Sequence, residues 1–304
     1  MKVAIIIPLH DLLDYTIPCY NSILKCTSDI AYKIIFIANT CSPATKEWLL
    51  STGEQIIYNE LPFNFAESCN LGFAAIDSDC EYIIFLNNDT IVTHHWLEYL
   101  LEPFSLDPDV GLVGPVSNRI SSRQEIPVNY NPYDWNQILL GKLHHFSHIE
   151  LQAKVLSGAY PIIASCHRLA GFCLAVRRAL LDTIGLFDTI YVGGNYDDDD
   201  LCVRSILWGY KNLIAYRSFV HHHSHITFNI LGIGFLQLQN NANLFWEKWK
   251  GIFPPDFRWS VDPDLSFLTP LHCTHDINYY KNKDDTVRVI KLEERLQGLL
   301  SRQR

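Results

Sequence analysis

The sequence predicts an α/β fold, a mostly parallel central sheet flanked by helices, with a C-terminal helical extension. Three observations lead there. Short, nearly all-apolar, β-branched runs alternate with helical stretches over the first third of the chain, the pattern of a parallel sheet covered on both faces. The 304 residues, 48% of them hydrophobic, suffice for one large domain or a domain with an appendage. The last stretch, "TVRVIKLEERLQGLLSRQR", carries an amphipathic helix with a basic end.

In order, "VAIII" (3–7) reads as a strand and "YTIPCYNSILK" (15–25) as mostly helix. "KIIFIA" (33–38) is a strand, and "PATKEWLLS" (43–51) a helix opened by Pro43. "QIIY" (55–58) and "EYIIFL" (81–86) are strands, with a helix at "FAESCNLGFAAI" (65–76) between them. A helix over "HHWLEYLLEPF" (94–104) leads to the strand "GLVGP" (111–115). Between about Asn118 and Tyr160 the pattern weakens, as expected of an insertion or lid. "RLAGFCLAVRR" (168–178) then predicts a strand and "RALLDTIG" (178–185) a short helix ended by Gly185. A helix opens at the acid run near 197 and stops near Gly209, the strands "NLIAY" and "FVHHH" follow, and "GFLQLQNNANLFWEKWKGIFP" (234–254) holds a late helix. The division expected is 1–254 as the main domain, split into 1–117 and 118–254 with the insertion at 118–160, and 255–304 as the extension.

The bulk numbers exclude several classes. A net charge of -9 argues against a nucleic-acid partner, which needs Lys/Arg surfaces. The nine cysteines are scattered without a CxxC pair, which suits reduced intracellular thiols better than a disulfide framework or a zinc cluster. The opening "MKVAIIIPLHDLL" lacks a cleavage site and reads as a core strand. No uncharged run approaches the roughly 20 residues of a membrane span; in the nearest, "PIIASCHRLAGFCLAV", His167 and Arg168 intervene. A cytoplasmic protein is expected. A P-loop, a G-x-S-x-G elbow and H-E-x-x-H are absent, and "LGIGF" lacks the third glycine and the preceding strand of a dinucleotide fingerprint.

Three stretches remain for chemistry. "NNDT" (87–90) follows an apolar strand, so Asn87, Asn88 and Asp89 belong at the ligand edge of the sheet, although Asn and Asp also simply make turns there. Their oxygens suit a hard cation bridging a diphosphate. In "VHHHSH", alternation points His221 and His223 one way and His222 the other. In "GGNYDDDDLCVR" (193–204), four aspartates fill a helix start. The helix dipole offsets part of their repulsion, Asp200 can pair with Arg204 four residues on, and a further aspartate can serve as N-cap. The rest are unexplained by helix building, and a carboxylate among carboxylates gains the proton affinity a general base needs.

Together and in this order the motifs resemble inverting family-2 glycosyltransferases of GT-A fold, of the rhamnosyltransferase-like type that builds surface glycans. The resemblance covers about residues 1–250. It rests on the first strand ending in Pro8, "PFNFAESCNLG" (62–72), "EYIIFLNNDTIVTHHWL", "GFCLAVRRALLDTIGLFD" (171–188), "YDDDDLCVR", "HHSHITF" (222–228) and "NLFWEKWKG" (243–251). The resemblance implies transfer of a hexose from a nucleoside-diphosphate sugar, UDP or dTDP ahead of GDP, to a glycan or lipid-linked hydroxyl acceptor. It implies Mn²⁺ or Mg²⁺ on Asp89, Asn87 and His222, with His221 and His223 as alternates, and Asp198 as the base. Asp197, Asp199, Gly194 and Asn195 fall on the acceptor side, and Pro8, His10, Asn39, Asn64, Asn70 and Asn88 on the donor side. Ala38 departs from the family, which has an aspartate there, and Asn87 replaces the first aspartate of an Asp-x-Asp. A catalytically silent sugar- or nucleotide-binding module is the competing class. A nucleotidyltransferase would need a Gly-rich basic loop that "PLHDLLDY" does not offer. Tyr130, Tyr133 and Trp135 are candidates to stack on acceptor sugars or to pack the insertion. The basic C-terminal helix is a candidate cap, dimer contact or peripheral contact with an inner membrane face.

Overall fold

The computed structural model describes residues 2–28, 30–60, 64–128, 143–158, 162–224 and 234–301, with backbone only at 143–148. Strands β1 (Val3–Leu9), β2 (Tyr32–Asn39), β3 (Gln55–Asn59) and β4 (Tyr82–Leu86) pair in parallel. All residues of β1 and β4 are buried, which is why these strands read as unbroken apolar runs. Helices α1 (Leu13–Cys26), α2 (Pro43–Thr52) and α3 (Phe65–Ala74) return the chain between them. At α2 the Ser42 hydroxyl accepts from the Thr45 amide, Pro43 sits in the first turn, and Gly53 closes the helix at φ 74°, as its sequence signals require.

The second half adds β5 (Thr90–Val92), α4 (Trp96–Leu106), β6 (Val110–Val116), α5 (Leu143–Leu156), β7 (Ile163–Ser165), β8 (Cys173–Arg177), α6 (Arg178–Ile184), α7 (Asp197–Leu207), β9 (Lys211–His222) and α8 (Phe235–Lys248). The sheet order is β3-β2-β1-β4-β8-β6-β9-β5, with β7 also on β9. Strand β8 runs antiparallel to β4 and β6, so the sheet is mixed and mostly parallel on its first side. One face packs Ile6, Phe85, Trp208 and Phe245; the other packs Ile5, Phe36, Trp96 and Leu100.

Several expectations change in detail. The strand expected over 168–178 begins only at Cys173, and 168–172 form a loop that brings Arg168, Gly171 and Phe172 to the ligand edge. The two strands expected at "NLIAY" and "FVHHH" are one strand, β9, whose partner β6 shifts register between Pro115 and Val116; a bulge of this kind absorbs the polar Arg217–Ser218 step. Strands β5 and β7, three residues each, are too short for periodicity to announce. The insertion holds α5. Tyr130, Tyr133 and Trp135 lie outside the described residues, as does His225.

The extension carries a 3₁₀ turn (Pro270–His272), α9 (Cys273–Lys281) and the expected amphipathic helix α10 (Thr286–Ser301), which buries Val289 and Leu292. Three basic side chains of α10 make contacts within the chain, as a helical cap would. Arg295 donates to the Trp208 carbonyl, Arg288 lies 4.7 Å from the Tyr280 ring centre, and Lys291 donates to the Asp182 carbonyl. Among the described residues no helix is long and apolar enough to cross a membrane.

Candidate active site

Strand order reverses between β1 and β4, and the crevice at such a point is where open α/β sheets bind ligands. A cleft of about 470 Å³ opens there, lined by Pro8, Asn87, Asn88, Asp89, Asp198, Gly194, Asn195 and His222 among others. Asp89, Asp198 and His222, more than a hundred residues apart at the extremes, share this one cleft.

The turn after β4 is fixed by its own backbone. The Asn87 amide donates to the Phe172 carbonyl at 2.8 Å, and the Thr90 hydroxyl donates to the Asn87 carbonyl at 2.8 Å. Asn88 is buried and donates to the Thr16 hydroxyl. Asp89 Oδ1 lies 3.3 Å from His222 Nε2, and Asn87 Nδ2 lies 3.4 Å from the same nitrogen. Asn118 clamps the His222 backbone, accepting from its amide at 2.7 Å and donating to its carbonyl at 3.1 Å. Phe172 stacks on the imidazole at 5.0 Å. His221 and His223 project to the other side of β9, where their rings meet at 4.7 Å. Burial, reinforced by neighbouring imidazoles, depresses both, His221 to about 3. Of the three, only His222 lines the cleft.

This donor set fits a divalent cation. A carboxylate oxygen and an imidazole nitrogen 3.3 Å apart are near the roughly 3 Å between adjacent ligands around an ion with bonds of about 2.1 Å. His222 Nδ1 is buried and has no hydrogen-bond partner among the described residues, and Nε2 is the ring nitrogen that faces Asp89.

The acid run is entered through four consecutive left-handed residues, Gly193, Gly194, Asn195 and Tyr196, at φ 77°, 95°, 69° and 68°. Glycine adopts this region freely and asparagine tolerates it; Tyr196 is the strained member. Asn241 of α8 pins the loop, its Nδ2 donating to the carbonyls of Gly194 and Val192 at 2.8 and 3.0 Å. Tyr196 occupies the N-cap and makes no side-chain capping bond, so the expected aspartate cap is absent and all four carboxylates stand in the first turn.

Their roles then separate. Asp200 is fully buried and pairs with Arg204 and Lys248, each at 2.8 Å, so the expected pairing is present with a second cation added. Asp199 holds Arg168 at 2.6 Å; burial and Asp198 push its carboxyl up to about 7 against the pull of Arg168. Asp197 is buried with Oδ2 unpartnered among the described residues, and burial, then Asp198, raises its proton affinity well above the usual range. Asp198 alone is only half-buried, and its Oδ2 accepts from the Gly171 amide at 2.7 Å.

Other expected donor contacts are taken up by the fold. Asn39 is fully buried; its Nδ2 donates to the carbonyls of Leu9 and Ile37, and its Oδ1 accepts from Asn59 and Ser68. Asn70 donates to the Phe187 carbonyl and accepts from the Phe187 amide, a two-point backbone clamp. In this structure both amides serve as internal ties. His10 Nδ1 lies 2.7 Å from the Asn39 carbonyl, Asn64 reaches Thr189, and neither lines the cleft. Arg119 and Arg168 do line it but lie outside the motifs read from the sequence, Gly171 lines it from the first position of the 171–188 segment without having been singled out, and Asn118 and Asn241 act only through the backbone they hold.

The fold and the cleft at its strand-order reversal define a GT-A α/β protein. Residues 4–183 match the sequence profile of glycosyl transferase family 2, over half of the chain, and the chain belongs to that family. No curated protein sequence matches it. Among solved structures it is similar to GalNAc-T7 with UDP, GalNAc and Mn²⁺, at 13% identity and TM-score 0.56, over 91% of this chain and 54% of that one. It thus spans about half the length of GalNAc-T7. It is also similar to the mannosyltransferase PcManGT from Pyrobaculum calidifontis in complex with GDP-Man and Mn²⁺, at 13% identity and TM-score 0.51, over 98% and 86%. At such identities the likeness is one of fold.

Proposed function

We propose that the chain is a metal-dependent, inverting hexosyltransferase of the rhamnosyltransferase-like type, with a nucleoside-diphosphate sugar as donor and a glycan or lipid-linked hydroxyl as acceptor. The supporting observation is the single cleft shared by Asn87, Asp89, His222 and Asp198. UDP and dTDP donors head the proposal, with GDP beside them since PcManGT was seen with GDP-Man. Nine buried, unpaired cysteines support a reducing, cytoplasmic setting.

Asp89 and His222, with Asn87 beside them, would hold Mn²⁺ or Mg²⁺. Bound there, the ion supplies Lewis-acid stabilisation of the departing diphosphate. Asp198 takes the acceptor hydroxyl proton on a carboxylate oxygen while that hydroxyl oxygen attacks the anomeric carbon opposite the leaving group. The Gly171 amide holds Asp198 Oδ2 in position, and Asp197, Asp199, Gly194 and Asn195 wall the acceptor side. Holding both substrates in one cleft supplies proximity.

A silent binding module is favoured by one observation: the end of β2 offers only the buried Ala38 and the committed Asn39 to a nucleotide. Incubation with UDP-, dTDP- and GDP-sugars, with and without Mn²⁺, separates the readings. Metal-dependent release of the nucleoside diphosphate is expected, and binding without release would establish the silent module. Asp198→Asn should cut transfer to a confirmed acceptor by about a hundredfold or more while donor binding persists; unchanged transfer removes Asp198 as the base.

A further inference from the structure

Outside the cleft, three side chains from distant parts of the sequence meet. Cys26 closes α1, His94 lies between β5 and α4, and Glu150 lies on α5. Cys26 Sγ is 3.7 Å from Glu150 Oε1 and 3.9 Å from His94 Nδ1, and His94 Nδ1 is 2.9 Å from Glu150 Oε2. Among the described residues no other three His, Cys, Asp or Glu side chains bring their ligand atoms within 4.8 Å of one another. We propose that Cys26, His94 and Glu150 form a zinc site that staples the insertion helix α5 to the end of α1 and the turn before α4.

The chemistry and the spacing agree. Thiolate, imidazole and carboxylate together are a borderline-soft set that suits zinc, whereas Mg²⁺ and Ca²⁺ avoid sulfur. Bonds of about 2.0–2.3 Å in a tetrahedron hold ligand atoms about 3.3–3.7 Å apart. The observed 2.9, 3.7 and 3.9 Å bracket that range, so modest side-chain rotation completes the site. Cys26 is buried, while the side chains of His94 and Glu150 are 51% and 22% exposed. That gives an entry path and leaves the fourth position to water. A shallow surface pocket lined by His94, His95, Tyr99, Glu150 and Lys154 lies over it. Without an ion, the buried Cys26 thiol donates to Glu150 Oε1. Zinc takes the place of that thiol proton, which leaves to solvent, and joins thiolate, imidazole and carboxylate in shared ligation.

Cobalt titration of the metal-stripped 304-residue chain tests this. No cysteine lines the donor cleft, so a thiolate-to-cobalt charge-transfer band reports the proposed site alone. The expected result is such a band, displaced by Zn²⁺, unchanged in Asp89→Asn and lost in Cys26→Ser. His94→Ala removes a half-exposed side chain and should weaken binding about tenfold or more with circular dichroism unchanged. The absence of a band at saturating Co²⁺, or a band that survives both Cys26→Ser and His94→Ala, overturns the proposal.

Discussion

Gly171 has no side chain, and Asp198 stands where it does because of that. A Cβ at Gly171 would meet Asp198 Cβ at 3.1 Å and Oδ2 at 3.3 Å, tight enough to displace the carboxylate by a few tenths of an ångström while the core stays filled. Gly171→Ala should therefore lower kcat by about tenfold or more with donor affinity unchanged; wild-type turnover would show that the carboxylate position is uncritical. Asp197 illustrates the cost of the acid run. Its folded-state proton affinity lies above the ordinary 3.8, so the stability linked to it is present below that pH and lost as pH rises. Asp197→Asn should melt about 2–4 °C higher than wild type at about pH 8, with the difference vanishing toward pH 4. A constant difference across the range would refute the linkage. Which carboxylate faces the cleft was partly legible, because Asp200–Arg204 spacing and the motif order single out 197–199. The internal uses of Asn39 and Asn70 were not, since an amide beside a strand end looks the same in sequence whether it meets a ligand or a neighbouring carbonyl.

At the scale of elements, α7 is anchored from behind. Lys248 of α8, its side chain 2% exposed, sits 2.8 Å from both Asp188 and Asp200, and against burial it holds Asp188 well below the usual carboxylate range. Removing one partner of a buried ion cluster leaves charge uncompensated. Lys248→Met should thus cost about 3–5 kcal/mol in urea unfolding, whereas Lys250→Met, at an exposed pair with Glu247, should leave the curve in place. Equal effects would mean that the cluster carries no special stability. Strands β1 and β4 were readable because burial on both faces leaves an unbroken apolar signature. The shorter strands and the 168–172 loop were not, because their conformation is set by pairing across the sheet. The Cys26, His94 and Glu150 triad had no local spacing to betray it; its ligands come from three elements that only the tertiary fold assembles.

For the whole molecule, the sequence carried a sheet edge, an acid run and a histidine run in the order of the family it resembles. It did not show how residues 255–304 relate to the rest. Expected as an appendage, they cover one face of the core: Leu265, Cys273, Ile277, Tyr280, Val289 and Leu292 are buried, and Asp276 accepts from the buried Trp208 indole at 2.7 Å. Trp208 ends the helix that begins with the acid run, so the extension and the candidate base share one rigid rod. Ending the chain at residue 264 would bare Trp208 and open one side of Arg204 to water. With each buried apolar side chain contributing about 1.5–3 kcal/mol before opposing entropy, the truncated chain should melt on the order of 10 °C lower, or fail to fold. Donor turnover should fall with it, because the start of α7 would lose its anchor. A truncated chain that melts and turns over as the full one does would make 255–304 a separate unit, and the base would then be held by the sheet side of the cleft alone.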